Sequence, residues 1–190
     1  MYNFYAYISR MKNIKRWGVM RNTQTENIKE HSLDVAVIAH ALALIKNRLY
    51  GGNVDAERVM AMAVFHETSE VITGDLPTPI KYFNPEIKTA YKQIENVAVD
   101  KMMAMLPPEL LDDYRPILKE HDTEEYRIVK YADKLSAYIK CIEETKSGNM
   151  EFAKAKSSIA EELSCIDAKE VKYFIENCLP GYELTLDELN

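Results

Sequence analysis

Hydrophobic residues recur at helical spacing along nearly the whole chain. Tyr5, Ile8 and Met11 stripe a first helix, followed by the polar, irregular segment 18-GVMRNTQTENIKE-30. The spacing of His31, Val35, Ile38, Leu42 and Ile45 predicts a long helix over 31–48, stopped by Gly51-Gly52. Its other positions are rich in alanine, so it is apolar nearly all round and belongs in the core. Asp55 begins the next helix, which carries 62-MAVFHETSEVITG-74 and ends near Thr73-Gly74 because Pro77 and Pro79 block resumption. Further helices are expected over 85–105, 108–121, 124–146, 149–164 and 168–177, divided by Pro107-Pro108, Ser147-Gly148 and Asp167. Strand alternation, hairpin turns, repeats and linkers are absent from the pattern. The expectation is an all-α fold of seven to nine helices in a single domain spanning 1–190.

Composition narrows the class. At 190 residues with 47% hydrophobic and 28% charged, the chain is long enough for one sizeable core. Apolar runs all fall short of the ~20 residues that cross a membrane, so no membrane partner is expected. The start, MYNFYAYISRMKNIKRW, has its charges after its aromatics, unlike a signal peptide. Three cysteines, odd in number and without metal-type spacing, fit reduced thiols in a cytoplasm. A net charge of −6 argues against a nucleic-acid polymer as partner. The charge is uneven, since residues 1–25 hold Arg10, Lys12, Lys15, Arg16 and Arg21 and no acid. That zone suits a small anion, or is simply a solvated basic helix end.

The candidate chemistry lies in polar residues on apolar helices. A lone histidine on such a helix is usually a hydrogen-bonded core residue, and His40 and His121 stay in that class. Asp133 lies in 126-YRIVKYADKLSAYIKCIEE-144 on one stripe with Val129 and Ala137. A carboxylate facing a core is costly unless it is paired or binds a cation. Lys130 and Lys134, close by in sequence, supply the salt-bridge alternative. Taken together, three helices that each read as buried offer His31, His66 with Glu67, and Asp133. Imidazoles with carboxylates suit one divalent transition metal (Co, Mn, Zn, Fe or Ni) with positions left for water and substrate. Glu70, one helical turn after His66, reads as a base or proton shuttle, or else as an exposed helix residue. Asp75, in the Gly-Asp-Leu-Pro-Thr turn, lines the mouth of such a pocket or is ordinary turn chemistry.

The order His31, His66-Glu67, Asp133 resembles the H…HD…D signature of HD-domain metal-dependent phosphohydrolases, which are all-α. The stretches 16-RWGVMRNTQTENIKEHSLDVAVIAHALALIKNR-48, 66-HETSEVITGDLPTPIKYFN-84 and 130-KYADKLSAYIKCIEE-144 resemble the bacterial 5′-deoxynucleotidases of that superfamily, over essentially the whole chain. The resemblance implies hydrolysis of deoxyribonucleoside 5′-monophosphates to deoxynucleoside and phosphate by metal-activated water. It implies His31, His66, Glu67 and Asp133 as metal ligands. It also implies Arg16 orienting the phosphate, Trp17 packing on the nucleoside, and Glu70 and Asp75 in proton handling. Asp75, Leu76, Pro77 and Thr78 would surround the deoxyribose, and the assembly would be a homodimer. One residue departs from the signature: Glu67 stands where the family has Asp, a carboxylate one methylene longer. Two alternatives follow from that departure and from the weak specificity of the bare signature. One is a nucleotide-binding or regulatory HD protein with impaired catalysis; the other is a hydrolase of another small phosphate ester.

Overall fold

The computed structural model describes residues 1–77, 80, 83–119 and 122–189. Among these, nine α-helices follow one another: α1 (Phe4–Ile8), α2 (Ile28–Tyr50), α3 (Ala56–Val64), α4 (Glu70–Thr73), α5 (Pro85–Met103), α6 (Leu111–Lys119), α7 (Glu124–Lys146), α8 (Ala153–Ser164) and α9 (Lys169–Asn177). The described residues contain no strand, only an isolated antiparallel bridge between Lys15 and Asn27.

Local chemistry sets most boundaries. Asn27 accepts from the amides of Lys29 and Glu30 while Glu30 accepts from the Asn27 amide, a reciprocal cap that starts α2 three residues ahead of expectation. Gly51 closes α2 with φ of 70°, a left-handed conformation that costs a side chain-bearing residue strain. Asp55 caps α3 through the Arg58 amide, Asn84 caps α5 ahead of Pro85, and Thr123 caps α7 through the Tyr126 amide. Helix α7 coincides with its predicted span of 124–146.

Two expectations need correction. The first helix is short, runs into a 3₁₀ turn over Ser9–Asn13, and buries Phe4 and Met11 while Tyr5 is exposed. Phe4 enters the cluster of Met102, Met103, Leu106 and Leu118, so the buried stripe lies one residue earlier than Tyr5. The helix expected from Asp55 to Thr73 instead breaks after Val64, and 65–69 form successive turns before α4. Here side chains take carbonyls that a continuing helix would use. His66 Nδ1 donates to Ala63 O at 2.7 Å and Thr68 Oγ1 to Phe65 O at 2.6 Å.

Helix α2 packs against α3, α7 and α9, and α3 also touches α7. Val35, Ala39, Leu42 and Ala43 are sealed within this cluster with Val59, Val129, Ala132 and Leu135. A second cluster joins Phe4, Met102, Met103, Leu106 and Leu118, with Phe65 and Tyr114 packed on it. Alanines on the buried side of α2 let the neighbouring backbones approach closely, so the start of α2, the end of α3 and the middle of α7 converge. No helix among the described residues is long and apolar enough to cross a membrane.

Candidate metal centre

Four side chains meet at that convergence. His31 comes from the first turn of α2, His66 and Glu67 from the turns after α3, and Asp133 from the middle of α7. One ligand atom from each lies within 4.8 Å of every other. Ligands at about 2.1 Å from one ion and at right angles sit ~3 Å apart, and opposite ones ~4.2 Å, so the group is slightly wider than a closed site and would draw in around an ion. His40 lies outside the group, and His121 lies outside the described residues.

The histidines are oriented as ligands. His31 is fully buried, with Nδ1 at 3.1 Å from Ser136 Oγ and Nε2 at 3.1 Å from Asp133 Oδ1. Burial, reinforced by the Arg16 charge, holds its pKa below the usual histidine value, against the pull of Asp133. Without an ion Nε2–H donates to Asp133; with one bound, a neutral ring carrying its proton on Nδ1 would donate to Ser136 and turn the Nε2 lone pair to the metal. The Ala63 carbonyl can only accept, so it fixes the proton of neutral His66 on Nδ1. His66 Nε2 is then an acceptor, buried and without a hydrogen bond. It faces two further acceptors, Glu67 Oε1 at 3.2 Å and Asp133 Oδ1 at 3.9 Å. Convergent lone pairs of this kind repel one another unless a cation sits among them, so the residues present fit a divalent ion.

Both carboxylates are held ionised. For Asp133, burial opposes ionisation, but the His31 hydrogen bond and the Lys130 and His66 charges outweigh it and hold the pKa well below the carboxylate range. For Glu67, burial is again opposed and outweighed, mainly by the positive charge that a protonated His66 carries when no ion is bound, and the pKa is lowered; a bound cation would take that proton's place. The extra methylene of Glu67 does not carry its carboxylate past the cluster. Lys130 Nζ lies 3.6 Å from Asp133 Oδ2, whereas Lys134 pairs with Glu162. Asp133 was expected to face the core, but its side chain is 26% exposed at the site mouth. Ala132, Leu135 and Ser136 turn inward beside it.

Of the remaining predicted residues, Arg16 is within electrostatic reach of Asp133, Glu67 and Asp75. Glu70 opens α4 and is 6% exposed, which removes the reading of a solvated helix residue. Arg16 is largely buried, with Nη1 donating to Glu26 Oε2 at 2.7 Å. Burial disfavours its charge, but Glu26, Asp133, Glu67 and Asp75 more than restore it, so its pKa is raised. Trp17 has φ of 57°, packs on Phe152 with centroids 5.2 Å apart, and donates from Nε1 to Glu26 at 3.1 Å. Asp75, Leu76 and Pro77 are partly buried in the segment after Gly74, while Thr78 lies outside the described residues. The basic N-terminal zone is less positive than its sequence suggests, because Arg16 pairs with Glu26 and Arg21 with Glu151. Sequence reasoning missed Ser136 and Glu26. Ser136 lies three residues after Asp133 on one helix, a spacing that offers a signal. Glu26 meets Arg16 across a loop that no periodicity describes.

An all-α scaffold that brings together His31 of α2, His66 and Glu67 of the turns after α3, and Asp133 of α7 is that of an HD-domain phosphohydrolase. The structure of an HD-domain phosphohydrolase from Listeria innocua superimposes with a TM-score of 0.83 at 25% identity, covering 95% of this chain and 88% of that one. The cyanophage S-2L HD phosphohydrolase, solved bound to dA and one catalytic Zn²⁺ ion, shares the fold with a TM-score of 0.65 at 20% identity, over 92% and 95% of the two chains. The chain belongs to the family described as 5′-deoxynucleotidase YfbR-like, matched over residues 3–182. A 5′-deoxynucleotidase of Photorhabdus temperata is 53% identical over 192 aligned positions, covering all of this chain and 98% of the relative. A 5′-deoxynucleotidase of Yersinia pestis is 52% identical over the same extent.

Proposed function

We propose that this 5′-deoxynucleotidase hydrolyses deoxyribonucleoside 5′-monophosphates at a divalent metal held by His31, His66, Glu67 and Asp133. The observation that carries the reading is the buried, unpartnered His66 Nε2 facing Glu67 and Asp133. The 53% identity to a 5′-deoxynucleotidase supports the substrate class, and the dA-bound phage relative supports a deoxynucleoside in such a site. A bound Co, Mn, Zn, Fe or Ni ion supplies a Lewis acid and lowers the pKa of a coordinated water.

The chain's own residues do the rest. Arg16 offers a guanidinium fork to two phosphate oxygens and offsets charge that develops on them. Trp17 gives the nucleoside an apolar surface. Overall, water adds across the P–O bond to the 5′ oxygen, releasing deoxynucleoside and phosphate. Glu70 and Asp75 divide the proton traffic: one proton leaves the attacking water and one reaches the leaving oxygen. Asp75, Leu76, Pro77 and Thr78 enclose the sugar, and Asp75 beside C2′ crowds a ribose hydroxyl. Residues 1–190 work as one domain and assemble as a homodimer. Leu33, Val37 and Leu44, exposed on one side of α2, supply apolar surface for such an assembly.

Phosphate release from dAMP and AMP, with Co or Mn added to chelator-treated protein, tests this reading. Metal-dependent turnover of dAMP well above AMP is expected. Equal turnover of the two removes the Asp75 role, and tight binding without turnover in every metal favours a regulatory nucleotide-binding protein instead.

A further inference from the structure

We propose that Glu26 is the positioning residue of the substrate site, setting Arg16 and Trp17 together on a single carboxylate oxygen. The inference rests on the substrate roles proposed for those two side chains. Glu26 Oε2 accepts from Arg16 Nη1 at 2.7 Å and from Trp17 Nε1 at 3.1 Å. Neighbouring side chains on an extended chain point to opposite sides. Here they converge because Trp17 takes the left-handed backbone region, with φ of 57°, which a bulky residue rarely adopts unless its surroundings enforce it.

The surroundings do enforce it. The Arg16 amide donates to Glu26 O at 2.9 Å and the Ile28 amide to Ile14 O at 3.0 Å, clipping the two segments together with Glu26 directly opposite Arg16. Met20 N donates to Trp17 O at 2.9 Å, closing the turn behind the indole. Phe152 packs on the indole while Glu26 holds its N–H, so the ring is fixed by a neighbour and by an edge. The Arg16 and Glu26 side chains are only 15% and 12% exposed, so their ion pair is shielded from water.

Two consequences follow for a phosphate monoester. A guanidinium has five N–H donors, and the Glu26 bond uses one, leaving a pre-aimed fork for phosphate oxygens. The same carboxylate also opposes the Arg16 charge, which weakens the hold on product phosphate and favours its release.

The test compares Glu26→Ala, Glu26→Gln, Glu26→Asp and Arg16→Ala in the metal-loaded protein with dAMP. Trp17 is the single tryptophan, so its emission reports this indole alone. Glu26→Ala should lower kcat/KM about 10- to 100-fold, as misplacement of binding groups by an ångström does, and shift the Trp17 emission. Glu26→Gln, whose amide oxygen still accepts both bonds, should recover to within about threefold of wild type and keep the emission, with tighter inhibition by inorganic phosphate. Wild-type kcat/KM in Glu26→Ala, or Glu26→Gln as impaired as Glu26→Ala, overturns the proposal. If Glu26→Ala does not fold, the ranking carries the test: Glu26→Asp should be the more impaired and Glu26→Gln the less, and the reverse order overturns it. Arg16→Ala separates the two levels. If it is impaired while Glu26→Ala is not, only the Glu26 role fails; if it is unimpaired, the Arg16 role fails and takes this one with it.

Discussion

His66 donates from Nδ1 to a carbonyl and turns a buried lone pair toward two carboxylates, which is the strongest single argument for a cation at this place. The residues around the ion should therefore rank by their closeness to it. Glu67→Ala should weaken metal affinity about 10- to 100-fold, while Glu67→Asp, which restores the family residue, should bind at least as well as wild type. Isothermal titration with Co or Mn checks both, and an unchanged affinity in Glu67→Ala contradicts the assignment. Ser136→Ala should cost about tenfold in the same titration, because it frees the His31 ring to rotate and to move its proton. Arg16→Ala should lower kcat/KM for dAMP about 10- to 100-fold, the worth of a charge-assisted contact. Much of this site is legible in the sequence, since His31, His66, Glu67 and Asp133 are polar residues on stretches that otherwise bury. The partners that orient them are not. Ser136 is signalled only by its three-residue spacing from Asp133, and Glu26 reaches Arg16 only after a left-handed turn at Trp17 that no pattern announces.

Helix α7 carries a second polar device besides Asp133. Glu144 is sealed in its last turns and accepts from Thr23 N and Oγ1, Gln24 N, Asn149 Nδ2 and Lys140 Nζ, which also donates to Gln24 O. It thereby staples the loop after Arg16-Trp17 to the core. Burial opposes the Glu144 charge, but these bonds outweigh it and bring the pKa from 4.5 down to about 2. A depressed carboxylate pKa stabilises the fold above its unfolded value, and that contribution fades as pH falls from about 4.5 to about 2. A shift of that size amounts to about 3 kcal/mol. Urea melts should show Glu144→Gln less stable than wild type at pH 7, with the gap closing over that acid range; a gap independent of pH contradicts the account. Glu144→Ala should cost more, about 3–5 kcal/mol, because it strands the buried Lys140 charge. At this scale the sequence predicts helix starts well at the Asp55 and Thr123 caps, but it places the start of α2 three residues late because the reciprocal cap at Asn27 lies in a polar, irregular-looking segment. It misleads at 65–69, where His66 and Thr68 side chains capture backbone carbonyls and break an otherwise helical pattern. The break presents His66 and Glu67 from turns rather than from a continuous helix.

For the molecule as a whole, the hydrophobic pattern suffices for the all-α architecture because the buried side of α2 packs against α3, α7 and α9, although the side carrying Leu33, Val37 and Leu44, expected to be buried, is exposed. The metal centre then ties three separate segments of that core together, so binding should stabilise the entire fold. At a hundred times Kd the linkage is about 2.7 kcal/mol, or ~5–10 °C in Tm for a chain of this size. Adding Co or Mn to chelator-treated protein should raise Tm by that amount, and His66→Ala should abolish the rise. Sedimentation at micromolar concentration should give a dimer, and Leu33→Asp with Val37→Asp should yield a monomer if the exposed side of α2 is its interface. The most direct test of the central claim is anomalous diffraction from crystals grown with Co or Mn. The account predicts one ion per chain, with His31 and His66 ring nitrogens and Glu67 and Asp133 oxygens all within about 2.0–2.2 Å. An ion bound elsewhere, or one at this place without Glu67 among its ligands, contradicts it.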